Sequence, residues 1–583
     1  MEDKLKDSGD AATTDKLSAR MLAQLLAAHG VDHAVLSPGS RNAPLLMALE
    51  RCVGLKCHVV IDERSAAFMA LGMSVESGEP VALCCTSGTA LLNYAPAVAE
   101  AYYRRVPLVV VSADRPEEWI DQDDSQTIWQ QDALKPYVKR RCDISARVDF
   151  TNGPWWVNRV INDALLEAVR PSPGPVHINI RLDAPLNGVT HVSKADSRQR
   201  IIGQMSPHEE LSPSQIRELS ARLSPPLRVM IVAGFMQPDP ILNEALSRLA
   251  GLQNVAVLTE TISNQRNPLF VSRIDATLCR LTEEERLTMR PDVVITIGGA
   301  LVSRHIKEWL RSLPPEAEHW HIGHTHTTVD CFKHLTLRVE MAPGAFMSQL
   351  APAVSDNAVP YGCSYAETWH RAAIRAAAIH DRIITLAPWC DLSAMAEIFR
   401  MIPPDWHLHL SNGTPIRYAQ LMDCSHILRS DYNRGVSGID GCTSTAIGAS
   451  AVYDGVVLLI TGDMSFQYDL GALASQLLSG RMKMVVMMNG GGSIFRFIAS
   501  TRHLPELERD FAVGTRLPLW QLCDGYGIDC YEVSDAGSLR KAWTSFASPG
   551  PRPALLAVHT SGPLSAQVLT DYFTDRLPAA GLQ

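Results

Sequence analysis

The sequence predicts an α/β protein built from three successive blocks, each with a parallel sheet. Short apolar runs alternate with amphipathic helical patterns along the whole chain, which is typical of parallel α/β layers. The length of 583 residues favours about three domains rather than one. The apolar share of 46% and the charged share of 20% are those of a core-forming protein, so a mainly disordered chain is excluded.

The first block, residues 1–190, opens with a helical pattern over Asp15–His29, which Gly30 can end. Its predicted strands are short apolar runs that stop at turn residues: Ala34–Leu36, His58–Ile61, Val81–Thr86, Leu108–Ser112 and Val176–Ile180. The polar stretch Asn187–Ser214 is predicted to be a linker.

The second block covers residues 210–355 and the third covers residues 365–583, with a second linker predicted around Asp356–Cys363. Strands of the second block are predicted at Arg228–Val232, Val255–Thr259 and Val293–Ile297. Strands of the third block are predicted at His407–Leu410, Val456–Ile460, Lys483–Met488 and Ala554–Val558.

Charge and composition argue against several classes of protein. The formal net charge of −9 and the lack of basic runs argue against a nucleic-acid-binding protein. The apolar runs are far shorter than the roughly 20 residues of a membrane-spanning helix, and the polar segment Met1–Lys16 does not resemble a secretory signal. The 13 cysteines form no Cys-x-x-Cys pair, which favours reduced thiols and a cytoplasmic location.

The most specific chemical signal lies in the third block. Thr461-Gly462-Asp463 follows one predicted strand, and Asn489-Gly490-Gly491-Gly492 follows the next. The carboxyl ends of neighbouring parallel strands meet at one edge of a sheet, where α/β proteins bind ligands. A carboxylate and an amide oxygen suit Mg²⁺, which also favours phosphate oxygens. Two ordinary strand-to-helix turns are the alternative interpretation.

A second candidate, Glu63, follows the predicted strand His58–Ile61 and precedes a helical pattern. An acid at the carboxyl end of a strand, facing apolar side chains, is well placed for proton transfer. The alternative is a first-turn acid that stabilises the helix dipole, and for this residue taken alone that alternative is the better interpretation.

Further segments follow the predicted strands of the first block or precede the Gly-Asp segment. They are Ser37-Pro38-Gly39-Ser40-Arg41, Thr86-Ser87-Gly88-Thr89, Ala113-Asp114-Arg115-Pro116 and Asn433–Gly441. Together with Gly462–Leu473 and Gly490–Phe495, they resemble the 2-succinyl-5-enolpyruvyl-6-hydroxy-3-cyclohexene-1-carboxylate synthase family, which are thiamine diphosphate-dependent enzymes of menaquinone biosynthesis. The resemblance covers nearly the whole chain in the same order.

The resemblance implies three Rossmann-like domains of the thiamine diphosphate-binding fold: a pyrimidine-binding domain (1–190), a central domain (210–355) and a diphosphate- and metal-binding domain (365–583). It implies that Glu63 activates the cofactor through its aminopyrimidine ring and that Ile439 holds the cofactor bent. Mg²⁺ or Mn²⁺ is expected on Asp463, Asn489 and Gly491. The remaining expected cofactor contacts are Pro38, Ser87, Asn93, Ser437, Met464 and Ser465.

The implied reaction joins 2-oxoglutarate to isochorismate with loss of CO₂. Both substrates carry several carboxylates, so arginines are expected, because a guanidinium binds a carboxylate through two parallel hydrogen bonds. Arg417 and Arg434 are expected to hold 2-oxoglutarate, although any one arginine taken alone is more often a solvated charge. The other expected substrate contacts are Ser40, Arg41, Arg115, Gln126, Arg304, Ile494 and Phe495.

The resemblance also implies a homodimer or homotetramer with active sites between chains, Glu63 coming from one chain and Asp463 from another. Five positions or segments depart from the family's pattern: Met464, Met488, Asp123-Asp124-Ser125, Ser303 and Gly413. These departures leave the reaction class intact and put in doubt the finer contacts to the substrates.

Other functions have weaker support in the sequence. The segment His319–His326 looks like a zinc cluster, but alternation along a strand would split its imidazoles between two faces, so a strand-to-turn segment is favoured. The sequence has no Walker A motif and no dinucleotide-binding glycine motif after a strand. A different thiamine diphosphate-dependent decarboxylase or carboligase, and a non-catalytic α/β binding module, stay open as alternatives.

Overall fold

The computed structural model describes residues 10–193, 199–354, 364–514 and 516–574. Its strands, in chain order, are β1 (Asp10–Thr14), β2 (His33–Leu36), β3 (Lys56–Val59), β4 (Val81–Cys85), β5 (Leu108–Asp114), β6 (Arg140–Ile144), β7 (Val176–Arg181), β8 (Val189–Ser193), β9 (Val229–Ala233), β10 (Val255–Thr259), β11 (Val293–Ile297), β12 (Glu318–Ile322), β13 (Leu335–Val339), β14 (His407–Leu410), β15 (Arg429–Asp431), β16 (Val457–Gly462), β17 (Met482–Met488), β18 (Asp529–Val533) and β19 (Ala554–His559).

The α-helices of the same residues are α1 (Leu17–Ala28), α2 (Ala43–Glu50), α3 (Glu63–Ser77), α4 (Thr89–Asn93), α5 (Ala95–Arg104), α6 (Gly153–Val169), α7 (Pro213–Ala221), α8 (Pro240–Ala250), α9 (Ile274–Leu278), α10 (Glu283–Thr288), α11 (Arg304–Arg311), α12 (Pro343–Leu350), α13 (Tyr365–Leu386), α14 (Asp391–Met401), α15 (Thr414–Ala419), α16 (Cys442–Val452), α17 (Asp463–Tyr468), α18 (Leu519–Tyr526), α19 (Ala536–Ala547) and α20 (Gly562–Thr574).

The chain divides into two compact units. The first comprises residues 1–206, 433–457 and 468–482, and the second comprises residues 207–432, 458–467 and 483–583. The boundaries of the three blocks stay a prediction, and the linker expected around Asp356–Cys363 lies outside the described residues.

The first unit is built on a six-stranded sheet in the order β3-β2-β4-β5-β7-β6, in which every neighbouring pair is parallel. Strands β4 and β5 are buried along their whole length, as expected for central parallel strands with helices on both faces. Helix α3 begins after Asp62, whose side chain accepts a hydrogen bond from the Ser65 amide at 3.2 Å. It ends at Gly78, which has a φ of +77°.

Helices α3 and α16 of the first unit pack at very close range. A Cβ atom added to Gly72 would lie 1.9 Å from the Thr445 carbonyl oxygen, and one added to Gly448 would lie 2.0 Å from the Met69 carbonyl oxygen. Each helix therefore presents a glycine where the backbone of the other approaches. This contact joins a segment from early in the sequence to one that follows it by several hundred residues.

The second unit contains two further sheets. Strands β10-β9-β11-β12-β13 form a sheet in which every pair is parallel. Ile231 of β9 belongs to one apolar core and its neighbours Met230 and Val232 to another, because alternate residues point to opposite faces. The remaining sheet has the order β15-β14-β16-β17-β19-β18, with the pairs β14–β15, β17–β19 and β18–β19 parallel.

The predicted α/β class with parallel sheets is confirmed, and every predicted strand has a counterpart. The strand predicted at His58–Ile61 lies at Lys56–Val59, two residues earlier. The linker prediction for Asn187–Ser214 is wrong in part. Strand β8 lies within it and pairs antiparallel with β1, and helix α7 begins at Pro213. Among the described residues, no helix is both long and apolar enough to cross a membrane.

The histidine-rich segment is a strand followed by a turn, as predicted. His319 and His321 lie on β12, and both contact the Thr296 hydroxyl, at 2.8 Å and 3.0 Å. Burial lowers the pKa of His319 to about 4. Within the described ranges, these histidines do not form a group of three metal-ligating side chains.

Candidate functional site

The two strand ends singled out in the sequence meet in the second unit. Asp463 begins α17 directly after β16, and Asn489 directly follows β17. The Asp463 Oδ2 atom accepts hydrogen bonds from the amides of Gly490 and Gly491, at 3.0 Å and 2.9 Å. Asp463 is 1% exposed and Asn489 is 4% exposed. The expectation that these side chains lie together at one sheet edge is therefore confirmed.

Gly491 occupies a position that only glycine fits. Its φ is +113°, and a Cβ atom there would lie 2.1 Å from the Val513 carbonyl oxygen. This backbone conformation lets the amides of Gly490 and Gly491 point together at the Asp463 carboxylate.

The side chains at this edge fit a hard divalent cation. Asn489 donates its amide Nδ2–H to Asp391 Oδ2 at 2.8 Å, and its buried Oδ1 has no hydrogen-bond partner among the described residues. An unpartnered buried oxygen beside a buried carboxylate is the donor set that Mg²⁺ or Mn²⁺ prefers. The assignment of Asp463, Asn489 and the Gly491 carbonyl as ligands stays a prediction.

Other predicted residues lie close along the chain to these two strand ends. Met464 donates its amide to Asp463 Oδ1 at 2.8 Å, and Ser465 is buried in α17. Ile494 and Phe495 are half-buried in a short 3₁₀ turn, Ser493–Arg496. The Phe495 ring packs against Phe511 with its centroid 5.7 Å away. An apolar surface therefore follows the glycine segment.

Two predicted substrate arginines of the second unit differ in their surroundings. Arg417, on α15, is half-buried and donates to the Gly413 carbonyl at 2.6 Å. The Arg304 side chain, at the start of α11, is 65% exposed and lies 3.9 Å from Glu308. Gly413 has a φ of +99°, which a serine would adopt only with strain, so the backbone gives a physical reason for glycine at this position.

Two buried acids near Arg304 were not identified as site residues from the sequence. Glu260 accepts hydrogen bonds from the amides of Val302 and Ser303, and burial raises its pKa to about 7. Asp275 accepts a hydrogen bond from the Ser303 hydroxyl. Burial raises the pKa of Asp275, and the charges of His305 and Arg417 oppose that rise. Glu260 directly follows strand β10, so its position at a strand end is the signal that could have drawn attention to it.

In the first unit, Glu63 is the first residue of α3 and is half-buried. Burial and the charge of Cys84 raise the pKa of the Cys85 thiol, and the charge of Glu63 adds to the rise. The Glu63 carboxylate is therefore within electrostatic range of Cys85 at the end of β4. Its place in the first helical turn also suits the dipole interpretation, and its role in catalysis stays a prediction.

The loops after β2 and β4 lie against one another. The Ser37 amide donates to the Cys84 carbonyl at 2.8 Å, and a Cβ atom on Gly39 would lie 2.4 Å from the Thr86 Cβ. Among the predicted cofactor and substrate contacts here, Ser87 is buried. Three others are exposed: Pro38, Ser40 and Asn93.

Three predicted isochorismate contacts lie in the first unit. Arg115 forms an ion pair with Asp124, one of the residues that depart from the family pattern. Burial and the charge of Arg115 lower the pKa of Arg41, while Asp124 opposes that change, so both guanidiniums lie near the Asp124 carboxylate. Gln126 is exposed with a φ of +56°, and its backbone lies 3.4 Å from a Cβ atom placed on Gly88.

The loop that carries Arg434, Ser437 and Ile439 is fixed by a buried acid that the sequence did not indicate. Glu100 of α5 accepts hydrogen bonds from the amides of Gly435 and Val436, at 2.7 Å and 2.6 Å. The three predicted residues are half-buried, and Ser437 has a φ of +71°. Glu100 was missed because its partners follow it by more than 300 residues.

Comparisons with known proteins show which family the whole chain is similar to. Residues 18–134 match the family described as thiamine pyrophosphate enzyme, N-terminal TPP binding domain. The chain is 41% identical over 570 residues to a 2-succinyl-5-enolpyruvyl-6-hydroxy-3-cyclohexene-1-carboxylate synthase of Porphyromonas gingivalis, with 97% of this chain and 98% of that protein covered. It is 34% identical to the protein of the same name from Bacteroides thetaiotaomicron, covering 96% and 99%. The counterpart from Desulfotalea psychrophila is 36% identical, covering 87% and 91%.

Proposed function

The chain belongs to the 2-succinyl-5-enolpyruvyl-6-hydroxy-3-cyclohexene-1-carboxylate synthase family, and from that premise we propose that it joins 2-oxoglutarate to isochorismate with loss of CO₂. It is a thiamine diphosphate-dependent transferase of menaquinone biosynthesis. The observation that carries the proposal is the buried strand-end pair Asp463 and Asn489, with the Asn489 Oδ1 atom unpartnered among the described residues.

The division of labour follows from the chain's own residues. Thiamine diphosphate, when bound, supplies the electron sink for decarboxylation and the carbon nucleophile for the addition. The cation would be held by Asp463, Asn489 and the Gly491 carbonyl. Glu63 would hydrogen-bond the aminopyrimidine ring of the cofactor and exchange a proton with it. Ile439 would support the cofactor, and the remaining contacts of its binding site would be Pro38, Ser87, Asn93, Ser437, Met464 and Ser465.

The substrates are proposed to be held by separate groups of side chains. Arg417 and Arg434 bind the distal carboxylate of 2-oxoglutarate, and Arg41, Arg115, Arg304, Gln126 and Ser40 bind isochorismate. Ile494 and Phe495 provide an apolar wall near the reacting centre. Of the two proposed substrate arginines in the second unit, Arg304 is more exposed than Arg417, so it has more freedom to follow an incoming anion.

The deciding experiment is mass detection of the product with thiamine diphosphate and Mg²⁺ present. We expect CO₂ release from 2-oxoglutarate alone and the joined product only when isochorismate is added. Turnover of pyruvate in preference to 2-oxoglutarate would instead indicate a different carboligase of the same cofactor class. No turnover of any 2-oxo acid would indicate a binding module.

Cofactor binding has its own prediction. Thiamine diphosphate with Mg²⁺ should raise the melting temperature of the parent protein, since a ligand that binds only the folded state stabilises it by mass action. Asp463→Ala should abolish this rise, because the diphosphate is held through the ion. Differential scanning fluorimetry with and without Mg²⁺ measures it, and an undiminished rise in the variant would contradict the metal site.

The two groups of arginines give a second prediction. Arg417→Ala should slow CO₂ release from 2-oxoglutarate alone by about tenfold or more, because a charge-assisted hydrogen bond contributes roughly 1.5–3 kcal/mol. Arg304→Ala should leave that half-reaction within about twofold of the parent and impair only the addition step. Equal damage to both half-reactions by both variants would show that the substrates are not held separately.

A further inference from the structure

The buried carboxylate of Asp391 lies behind the candidate metal site and is bonded at both oxygens. Asp391 is the first residue of α14 and is 1% exposed. Its Oδ2 accepts the amide Nδ2–H of Asn489 at 2.8 Å, and its Oδ1 accepts the hydroxyl of Thr560. The Asp391 main-chain amide donates to the Ser565 hydroxyl at 3.0 Å. The carboxylate is therefore held in one position by groups from other elements.

A carboxylate in this position selects one of the two orientations of the neighbouring amide. An ionised carboxylate only accepts hydrogen bonds, whereas a carboxamide has a donating nitrogen and an accepting oxygen. With Nδ2 towards Asp391, Asn489 makes a charge-assisted hydrogen bond. The flipped amide would lose that bond and set two oxygens against each other.

The selected orientation matters because of what lies on the other side of the amide. The Asn489 Oδ1 atom is buried without a hydrogen-bond partner in the described part of the chain. Asp463 is buried at the same sheet edge, where it accepts a hydrogen bond from the amide of Gly490, the residue after Asn489. An oxygen can coordinate a hard cation, whereas the NH₂ group of a flipped amide has no lone pair to offer.

We propose that Asp391 is a positioning residue that fixes the Asn489 amide so that Oδ1 faces the divalent cation. The inference rests on the proposed metal site and assigns a role to a residue outside the predicted ligand and substrate contacts, whose hydrogen-bond partners include Asn489, Thr560 and Ser565. It follows the general pattern in which an outer carboxylate orients a metal ligand through the ligand's own N–H.

The test measures metal affinity rather than turnover. The dissociation constant for Mn²⁺ is obtained from the electron paramagnetic resonance signal of free Mn²⁺, at saturating thiamine diphosphate. Asp391→Ala should raise this constant by about 10- to 100-fold, the range for loss of such an outer partner. Asp391→Leu fills a similar volume without an acceptor and serves if the alanine variant does not fold.

Three further variants separate orientation from other effects. Asp391→Asn still offers an oxygen to Asn489 and should bind Mn²⁺ within a few-fold of the parent. Thr560→Val removes the bond to the other oxygen and is the matched control, expected to change Mn²⁺ binding by about threefold at most. In an Asn489→Ala background, Asp391→Ala should weaken Mn²⁺ binding by less than about threefold further, because its effect acts through that amide.

The outcomes distinguish a failure of the positioning role of Asp391 from a failure of the proposed metal site. A lower melting temperature of the metal-free Asp391→Ala protein with an unchanged Mn²⁺ constant would overturn the positioning role and leave the metal site standing. Fully additive losses in the double variant would also overturn it, since Asp391 would then act through its charge. A parent protein that binds no Mn²⁺ with thiamine diphosphate would overturn the metal site itself.

Discussion

Asp124 lies in the segment Asp123-Asp124-Ser125, which is expected to depart from the family's pattern, and it places a negative charge beside two predicted substrate arginines. It pairs with Arg115, and its charge also acts on Arg41. Both arginines are proposed to bind the carboxylates of isochorismate. If these arginines bind isochorismate as proposed, its carboxylate would have to displace the Asp124 carboxylate from Arg115.

This displacement predicts tighter substrate binding when Asp124 is neutral. Asp124→Asn should lower the KM for isochorismate by up to about fivefold, because a partly exposed ion pair contributes roughly 0.2–1 kcal/mol. Steady-state kinetics at saturating 2-oxoglutarate measure the change. Asp123→Asn is the matched control, since Asp123 is exposed and the described structure pairs Arg115 with Asp124. A raised KM for Asp124→Asn would mean that Asp124 supports Arg115 instead of competing for it.

At the residue scale, functional residues at strand ends could be predicted from the sequence. The residues that hydrogen-bond to them from other elements could not. Asp463 and Asn489 could be predicted to meet, because the ends of neighbouring strands share a sheet edge. Asp391 could not, because its bond to Asn489 spans 98 positions and follows no local pattern. Glu100 was missed for the same reason, whereas Glu260 directly follows β10 and could have been found as an acid at a strand end.

At the scale of elements, the strands that sequence reasoning missed lie mainly at sheet edges. Strands β6, β13, β15 and β18 are each the last strand of their sheet. An edge strand has one unpaired side and carries more polar residues, such as Arg-Arg-Cys-Asp-Ile in β6. The central strands were found because burial on both faces requires a continuous apolar run.

Glu260 gives a prediction about the loop between β11 and α11. Its pKa is raised by burial from 4.5 to about 7, so the folded protein binds a proton here over a range in which the unfolded chain does not. The free energy of unfolding therefore falls as pH rises through this window. Glu260→Gln keeps an oxygen for the amides of Val302 and Ser303 but cannot ionise.

Chemical denaturation of both proteins from pH 4.5 to 7.5 measures this difference. Relative to the glutamine variant, the parent should lose stability with rising pH, by about 3 kcal/mol at most. A constant difference between the two proteins across that range would contradict the assignment. Glu367→Gln, in the first turn of α13, is a control on an ordinary helix-terminal acid.

At the scale of the whole molecule, the family resemblance implies that each active site is shared between chains, and mixing inactive variants can test this expectation. If Glu63 and Asp463 of one site come from different chains, a hybrid dimer of Glu63→Gln and Asp463→Ala has one intact site. Random re-association should then restore about one quarter of the parent activity, since half of the dimers are hybrids with one of two sites intact. Activity is assayed after joint refolding or co-expression, and no recovery would place both residues of a site on one chain.

The sequence analysis treated each block as continuous along the chain. It gave no sign that two later segments group with the first unit. Residues 433–457 and 468–482 group with the first unit, although they lie within the third predicted block. Helix α16 packs against α3 at Gly72 and Gly448, and no sequence pattern around either glycine predicts which helix it contacts. The α/β class was accessible because each sheet follows from its own strands.

Because residues 433–457 and 468–482 belong to the first unit, this unit cannot be completed early in protein synthesis. The first unit lacks its last two segments until the ribosome has made residue 482, long after residue 206 has appeared. At roughly 5–20 residues per second, the wait lasts from about ten seconds to about a minute. During that time α16 is not in place to cover the face of α3 around Gly72. A nascent chain that stalls between residues 206 and 482 therefore exposes a surface that is buried in the folded protein. Production in cells should therefore depend on chaperones that bind growing chains.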